Sequence, residues 1–350
     1  MIHSSNLRWG LLSKYRTELM GIACLWVMLH HNFFDWPPSL SVLHDFAAYG
    51  SLAVDIFLLL SGIGLYFAYE KRPPLTQFYR KRLSRVLVSY LLLTTPYWLW
   101  LDVCVGSGSF WQDLFQVSFP LRREITTWYV PTIIVFYLVY PFVEQYLSCG
   151  CRWRRAAILC MAWIALCVAV SGTAVYDNCE IGLTRFVIFV VGCALGKAVR
   201  EDRYLPSLAL PMSIGWLFVN WLLRRIFSLP LLCIRLSYVP LALAVTLLLV
   251  WMLEKLQQYK VLRRLLQFFG QNSLELYLSH ILVRNVWVHY WGNRLVDSWG
   301  IVPYCLILLI SIAVSWITHP LAARLIGYLT SAAGKIMYRY KSKITSSRVR

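Results

Sequence analysis

The sequence is poor in acid. Sixteen aspartates and glutamates stand against 34 lysines and arginines in 350 residues, a formal net charge of +18. Charge of either sign is scarce, at 14%. No polar stretch is long enough to form a separate soluble domain. The longest interruption between apolar runs is 102–126, where Gly106, Ser107, Gly108 and Ser109 imply a flexible loop. The ten cysteines are scattered, and the only close pair is Cys149 and Cys151. No zinc or haem spacing occurs, so no metal site is expected and the cysteines serve as small apolar packing residues. There is no internal repeat, which disfavours inverted-repeat transporter folds. Residues 1–15 are polar and basic, and the first apolar run offers no small-residue cleavage site, so no cleavable signal peptide is expected.

What the chain has in excess is apolar surface. Hydrophobic residues make up 59%, and the mean hydropathy is +0.59, against roughly 45–50% apolar in soluble domains. The excess falls in blocks of about 17–22 residues, the length a helix needs to cross ~30 Å of hydrocarbon. Ten such runs are expected, at about 16–34, 50–69, 86–101, 127–147, 156–172, 183–199, 207–223, 236–253, 271–290 and 301–323. The count is open around 207–253, where Arg224, Arg225, Pro230 and Arg235 interrupt the pattern. The fold class is therefore all-α: a polytopic membrane bundle of about ten helices.

With the N-terminus in the cytoplasm and the runs alternating, most of the 34 lysines and arginines fall on the cytoplasmic side, as the positive-inside rule requires. That accounts for the net charge without nucleic acid as a partner. Both termini are then cytoplasmic. Residues 1–323 form the membrane domain, and 324–350 form a basic tail. Each Lys or Arg of the tail gains about 1 kcal/mol against anionic lipid of the inner leaflet.

Ionisable groups inside a membrane are costly and are functional candidates by default. Four clusters stand out. "GIACLWVMLHHNFFDWP", residues 21–37, places His30 and His31 near the outer end of the first run. Adjacent helical positions point about 100° apart, so at most one faces the bundle centre. Either both meet lipid headgroups or one exchanges protons near neutral pH. "GSLAVDIFLLLSG", residues 50–62, places Asp55 at a similar depth. It either caps the second run or orients the imidazole of His31, as a carboxylate does in a catalytic triad. "FYRKRLSRVLVSY", residues 78–90, holds Arg82 and Arg85 three apart on one helix face, with Arg80 and Lys81 beside them. It reads as an ordinary cytoplasmic loop or as a phosphate site with bidentate geometry. "NSLELYLSHILVRN", residues 272–285, sets Glu275, His280 and Arg284 in an apolar helix, with His280 near mid-membrane. A histidine there faces the interior and is paired, so this helix is expected to line a polar cavity.

Together these place a phosphate-seeking patch inside, a proton-transfer pair near the outside and a polar path between. Acyl-coenzyme A, with a phosphate-rich head and a long thin arm, has the shape to fit. Its thioester would meet a hydroxyl on the outer side, where a general base takes the alcohol's proton.

The runs "ELMGIACLWVMLHH", "AVDIFLLLSG", "FYRKRLSR", "TTWYVPTIIVFYLVYP" and "NSLELYLSHI" occur in an order that resembles the acyltransferase type 3 family, over about residues 10–320. These are integral membrane O-acyltransferases that modify extracytoplasmic sugars of capsule, exopolysaccharide and lipopolysaccharide. The resemblance implies that His31 is the catalytic base and that Arg82 and Arg85 hold the acyl-coenzyme A donor. Asp55, from its matching depth rather than from the resemblance, is the candidate orienter of His31. The family's arginine eleven residues before its histidine is Met20 here. Arg16, one turn earlier on the same face, is the substitute candidate, with Glu18 close by. Val88 stands where the family often has proline. Many relatives carry an extra extracytoplasmic domain. None falls within the resemblance here, so the membrane domain or a separate partner is expected to complete the transfer.

Trp128 and Tyr129 begin the fourth run, either as an interfacial aromatic belt or as a sugar-stacking surface beside His31. The expected activity is O-acetyl transfer from cytoplasmic acetyl-CoA to a cell-surface glycan or glycolipid. It would take place in the cytoplasmic membrane, without metal. The rival is a proton-coupled transporter or flippase for a glycolipid. A third reading is a member of this fold that acts only in assembly.

Overall fold

The computed structural model describes residues 7–32, 46–292 and 302–347. Asp35 and the loop around it lie outside the described residues. In chain order the helices are α1 (Leu11–Lys14), α2 (Arg16–Asn32), α3 (Leu52–Tyr69), α4 (Leu75–Trp100), α5 (Phe110–Leu114), α6 (Ser118–Arg122), α7 (Tyr129–Ser148) and α8 (Arg152–Val170). They continue as α9 (Ala174–Leu183), α10 (Phe186–Arg200), α11 (Ala209–Ile226), α12 (Leu231–Lys255), α13 (Lys260–Gln271), α14 (Ser273–Trp291) and α15 (Val302–Ser347). Among the described residues there is no strand, only one isolated bridge between Arg8 and Tyr204.

Among the described residues, seven helical segments are long and apolar enough to cross a membrane: Phe46–Tyr69, Leu75–Val105, Tyr129–Ser148, Arg152–Val170, Ala174–Arg200, Leu231–Lys255 and Val302–Leu329. The other three expected runs coincide with α2, α11 and α14, which are shorter or more polar. The reason lies in their composition. α2 carries Arg16, Glu18, His30 and His31, α11 ends in Arg224 and Arg225, and α14 holds Glu275, His280 and Arg284.

α3 is the hub. Its residues Leu52 to Ile63 are buried without interruption. A helix that is apolar all round belongs in an interior, and α3 is enclosed chiefly by α10, α2 and α12. α13 and α14 meet at Asn272, and both pack on α2: α13 runs against its direction, since Gly21 meets Leu266 and Gly270 meets Thr17, and α14 runs with it. Two contacts fix the register: Cys24 Sγ donates to Ser273 O at 3.7 Å, and His31 meets His280. Both intervals are seven residues, so α2 and α14 run parallel. Tyr277 is then level with Met28, about 18 Å above Arg16 at 1.5 Å per residue.

Close approach of α2 and α13 depends on two glycines. A Cβ on Gly270 would strike Thr17 O, and one on Gly21 would strike Leu266 O. Gly270→Val should therefore push α13 off α2, at about 1–3 kcal/mol or more for overpacking. The expected result is a lower unfolding temperature of the detergent-solubilised protein and reduced membrane accumulation. Wild-type stability in that variant would contradict the packing.

Two expectations about segments change. The loop 102–126 is partly ordered: it contains α5 and α6, anchored where Tyr90 Oη donates to Leu114 O at 2.8 Å and Asn178 Nδ2 to Pro120 O at 2.8 Å. The boundary expected at 323–324 falls inside α15, so the basic tail continues a helix rather than starting a new element.

Candidate active site

α2 delivers His30 and His31 in its last turn. Their rings diverge, as neighbouring helical positions must. His30 turns to the loop and donates from Nδ1 to Ala47 O at 2.8 Å. His31 turns to α14, where its Nδ1 lies 2.7 Å from Nε2 of His280, with the rings stacked at 15°. His280 is fully buried, and its Nδ1 lies 2.8 Å from Leu276 O.

The protons in this chain are determined by its last member. A carbonyl only accepts, so Nδ1 of His280 carries the hydrogen. In the neutral ring Nε2 is then an acceptor, and Nδ1 of His31 must donate to it. The remaining nitrogen of a neutral His31, Nε2, holds its lone pair outward from the pair. A histidine whose one nitrogen is tied as a donor presents the other as a base.

Below this pair lies a cavity of about 250 Å³. Arg16 and Met20 of α2, Lys81, Arg82 and Arg85 of α4, and Gln271 at the end of α13 line one part of it. Val54, Phe57 and Ser61 of α3, Tyr129 of α7 and Tyr277 of α14 line the rest. Among the described residues, four cations and no carboxylate face this space. Arg16 is held there as its Nε donates to Leu60 O at 3.3 Å. A second cavity, of about 510 Å³, shares Lys81 and Arg82 with the first and continues past Phe67, Lys71 and Gln77. Arginines without carboxylate partners in a low-dielectric wall attract phosphate strongly, and their planar donors suit bidentate contact.

The histidines do not line this cavity. Tyr277 joins the two regions: it lines the cavity, and its ring centroid lies 5.9 Å from that of His280 and 5.3 Å from that of Tyr129. The structure thus brings Arg16, Arg82 and Arg85 into one space, and His31 to His280.

Three expected site residues lie elsewhere. Asp55 does not meet His31; its Oδ1 lies 3.5 Å from Nε of Arg185, and both side chains are buried. Trp128 is not an exposed sugar platform, because it is buried beneath the guanidinium of Arg185, 4.9 Å from its ring centre. Glu18 does not line the cavity. Its Oε1 accepts from Arg263 Nη2 at 3.1 Å and Gln267 Nε2 at 2.9 Å, and so clamps α13 to α2. The two carboxylates are placed by the same cause: a buried carboxylate is costly unless an opposite charge or several donors reach it. Arg185 and Arg263 supply that from helices distant in sequence.

Arg185 and Tyr277 were not singled out by motif reasoning. Arg185 interrupts the apolar run "GLTRFVIFVVG", residues 182–192, and the rule that flagged Asp55 applies to it equally. Tyr277 sits three residues before His280, a spacing that places both on one helical face.

Helices of this length and apolarity around a cationic cavity, with a histidine pair beside it, define a multi-pass membrane protein. The chain belongs to the type 3 acyltransferase family: residues 19–319 match that family's acyltransferase-domain model. It is accordingly a membrane acyltransferase. No curated protein and no solved structure matches it.

Proposed function

We propose that the protein is an O-acyltransferase of the cytoplasmic membrane, and specifically an O-acetyltransferase. It moves the acetyl group of cytoplasmic acetyl-CoA to a hydroxyl of a cell-surface glycan or glycolipid at the outer face. In this reading α2, α11 and α14 join the seven apolar segments as spans, ten in all. Both termini lie in the cytoplasm, where most of the basic residues then fall.

One observation carries the proposal: the cavity lined by Arg16, Lys81, Arg82 and Arg85 leads to Tyr277, whose ring rests on the partner of His31. Arg82 and Arg85, with Arg16 and Lys81, hold the donor's phosphates. The pantetheine arm lies along the cavity toward Tyr277 and brings the thioester to the histidine pair. His31 Nε2 takes the proton of the acceptor hydroxyl as its oxygen attacks the carbonyl carbon. The C–S bond then breaks, and the thiol leaves with the proton returned from His31. His280 holds the His31 ring and its tautomer and does not itself touch substrate.

The test is transfer of label from acetyl-CoA to extracted surface glycan by purified protein. Absence of label in glycan, with glycolipid moved across vesicles instead, would favour a flippase. Arg82→Ala and Arg85→Ala should each raise the KM for acetyl-CoA about 10–100-fold, from the loss of charge-assisted hydrogen bonds of ~1.5–3 kcal/mol. Little change in kcat is expected if the contact is the same in ground and transition states. Unchanged KM in both variants would remove the donor from this cavity.

A further inference from the structure

Tyr277 is 5% exposed, and its hydroxyl finds no acceptor for its proton among the described residues, with the backbone N–H of Tyr129 turned toward its oxygen. An unmet buried hydroxyl costs about 1–3 kcal/mol, and such groups concentrate where a ligand supplies the missing partner. The phenol of Tyr90, also buried, shows the ordinary case: its hydroxyl donates to Leu114 O. Tyr277 differs in position as well. It belongs to the donor cavity, while its ring contacts His280 on one side and Tyr129 on the other. An acceptor group arriving through the cavity therefore meets Tyr277 at the place where it also comes within reach of the histidine pair.

The reaction needs what this hydroxyl offers. When the alcohol oxygen bonds to the thioester carbon, the carbonyl π pair moves onto oxygen and full negative charge develops there. His31 balances the proton but does nothing for that oxygen. A donor already in place, in a site shielded from water, stabilises it without reorganisation.

We propose that Tyr277 is a catalytic residue, the hydrogen-bond donor to the carbonyl oxygen of the acyl donor in the tetrahedral transition state. The inference rests on the acyl-transfer reading above. As the C–O bond forms, Tyr277 keeps its proton and shortens its bond to the oxyanion. As the C–S bond breaks, the pair returns to the carbonyl and the phenol relaxes. Tyr277 neither gains nor loses a proton over the cycle.

Tyr277→Phe keeps the ring against Tyr129 and His280 and removes only the donor. Purified wild type and variant would be compared for kcat, for the KM of acetyl-CoA and for equilibrium binding of CoA. The expected result is a fall in kcat of about 10²–10³-fold, as for loss of an oxyanion donor, with CoA binding unchanged. A kcat within threefold of wild type overturns the proposal. A parallel loss of CoA binding overturns it too, because the residue would then be serving the donor's ground state. If the variant does not accumulate, a ring-fluorinated tyrosine at 277, whose phenol ionises at lower pH, replaces it. The alkaline limb of the rate profile should then move to lower pH, and an unmoved limb overturns the proposal. Wild type that transfers no acyl group refutes the reading beneath it as well. Wild type that transfers while Tyr277→Phe transfers equally refutes this inference alone.

Discussion

His31→Ala is expected to lower acyl transfer by about 10²–10⁴-fold, the range for removal of a general base, with the KM for acetyl-CoA near the wild-type value. The split follows from placement: His31 is joined to His280 and does not line the cation cavity. Initial rates of label transfer at saturating donor measure it. His280→Leu should act in the same direction but less severely, since the base remains while the partner that holds its Nδ1 proton is lost. His280→Gln offers a side-chain carbonyl as acceptor and should recover part of that loss. A leucine variant and a glutamine variant of equal activity would contradict the tautomer argument. A fully active His31→Ala would contradict the assignment of the base.

Asp55→Leu is expected to cost about 3–5 kcal/mol of stability, because it leaves a buried guanidinium without its counter-charge. Arg185 is 2% exposed and is otherwise held by the carbonyls of Ile181, at 2.5 Å, and Ser51, at 3.2 Å. Removing both charges leaves no such orphan, so Asp55→Leu combined with Arg185→Met should regain most of the lost stability. Membrane accumulation and thermal unfolding in detergent report the single and double changes. Acyl transfer separates the two roles proposed for the carboxylate. A folded double variant that retains transfer places Asp55 in the scaffold. One that accumulates fully yet transfers nothing gives Asp55 a part in the chemistry of His31.

The histidine pair illustrates how far local patterns reach. Residues 272–285 name His280 as a buried polar group because a charge-bearing side chain in an apolar helix needs a partner. Nothing local says that the partner is 249 residues away. Asp55 shows the limit from the other side. Its depth matches that of His31, and depth is readable from position within a run. Azimuth is not, because it depends on which neighbours a helix packs against. Seen from α3, the side bearing Asp55 faces Arg185 of the α9–α10 junction.

The sequence by itself determined that the protein lives in a membrane and is helical, since long apolar runs have no other stable form there. It also determined that Arg82 and Arg85 share a face, because a spacing of three is a property of one helix. Only the tertiary structure decided that Arg16, Lys81, Arg82 and Arg85 enclose one space, that His280 rather than Asp55 meets His31, and that Glu18 clamps α13. These are contacts between helices. They depend on register and rotation, which close packing at Gly21 and Gly270 sets and no one-dimensional period records.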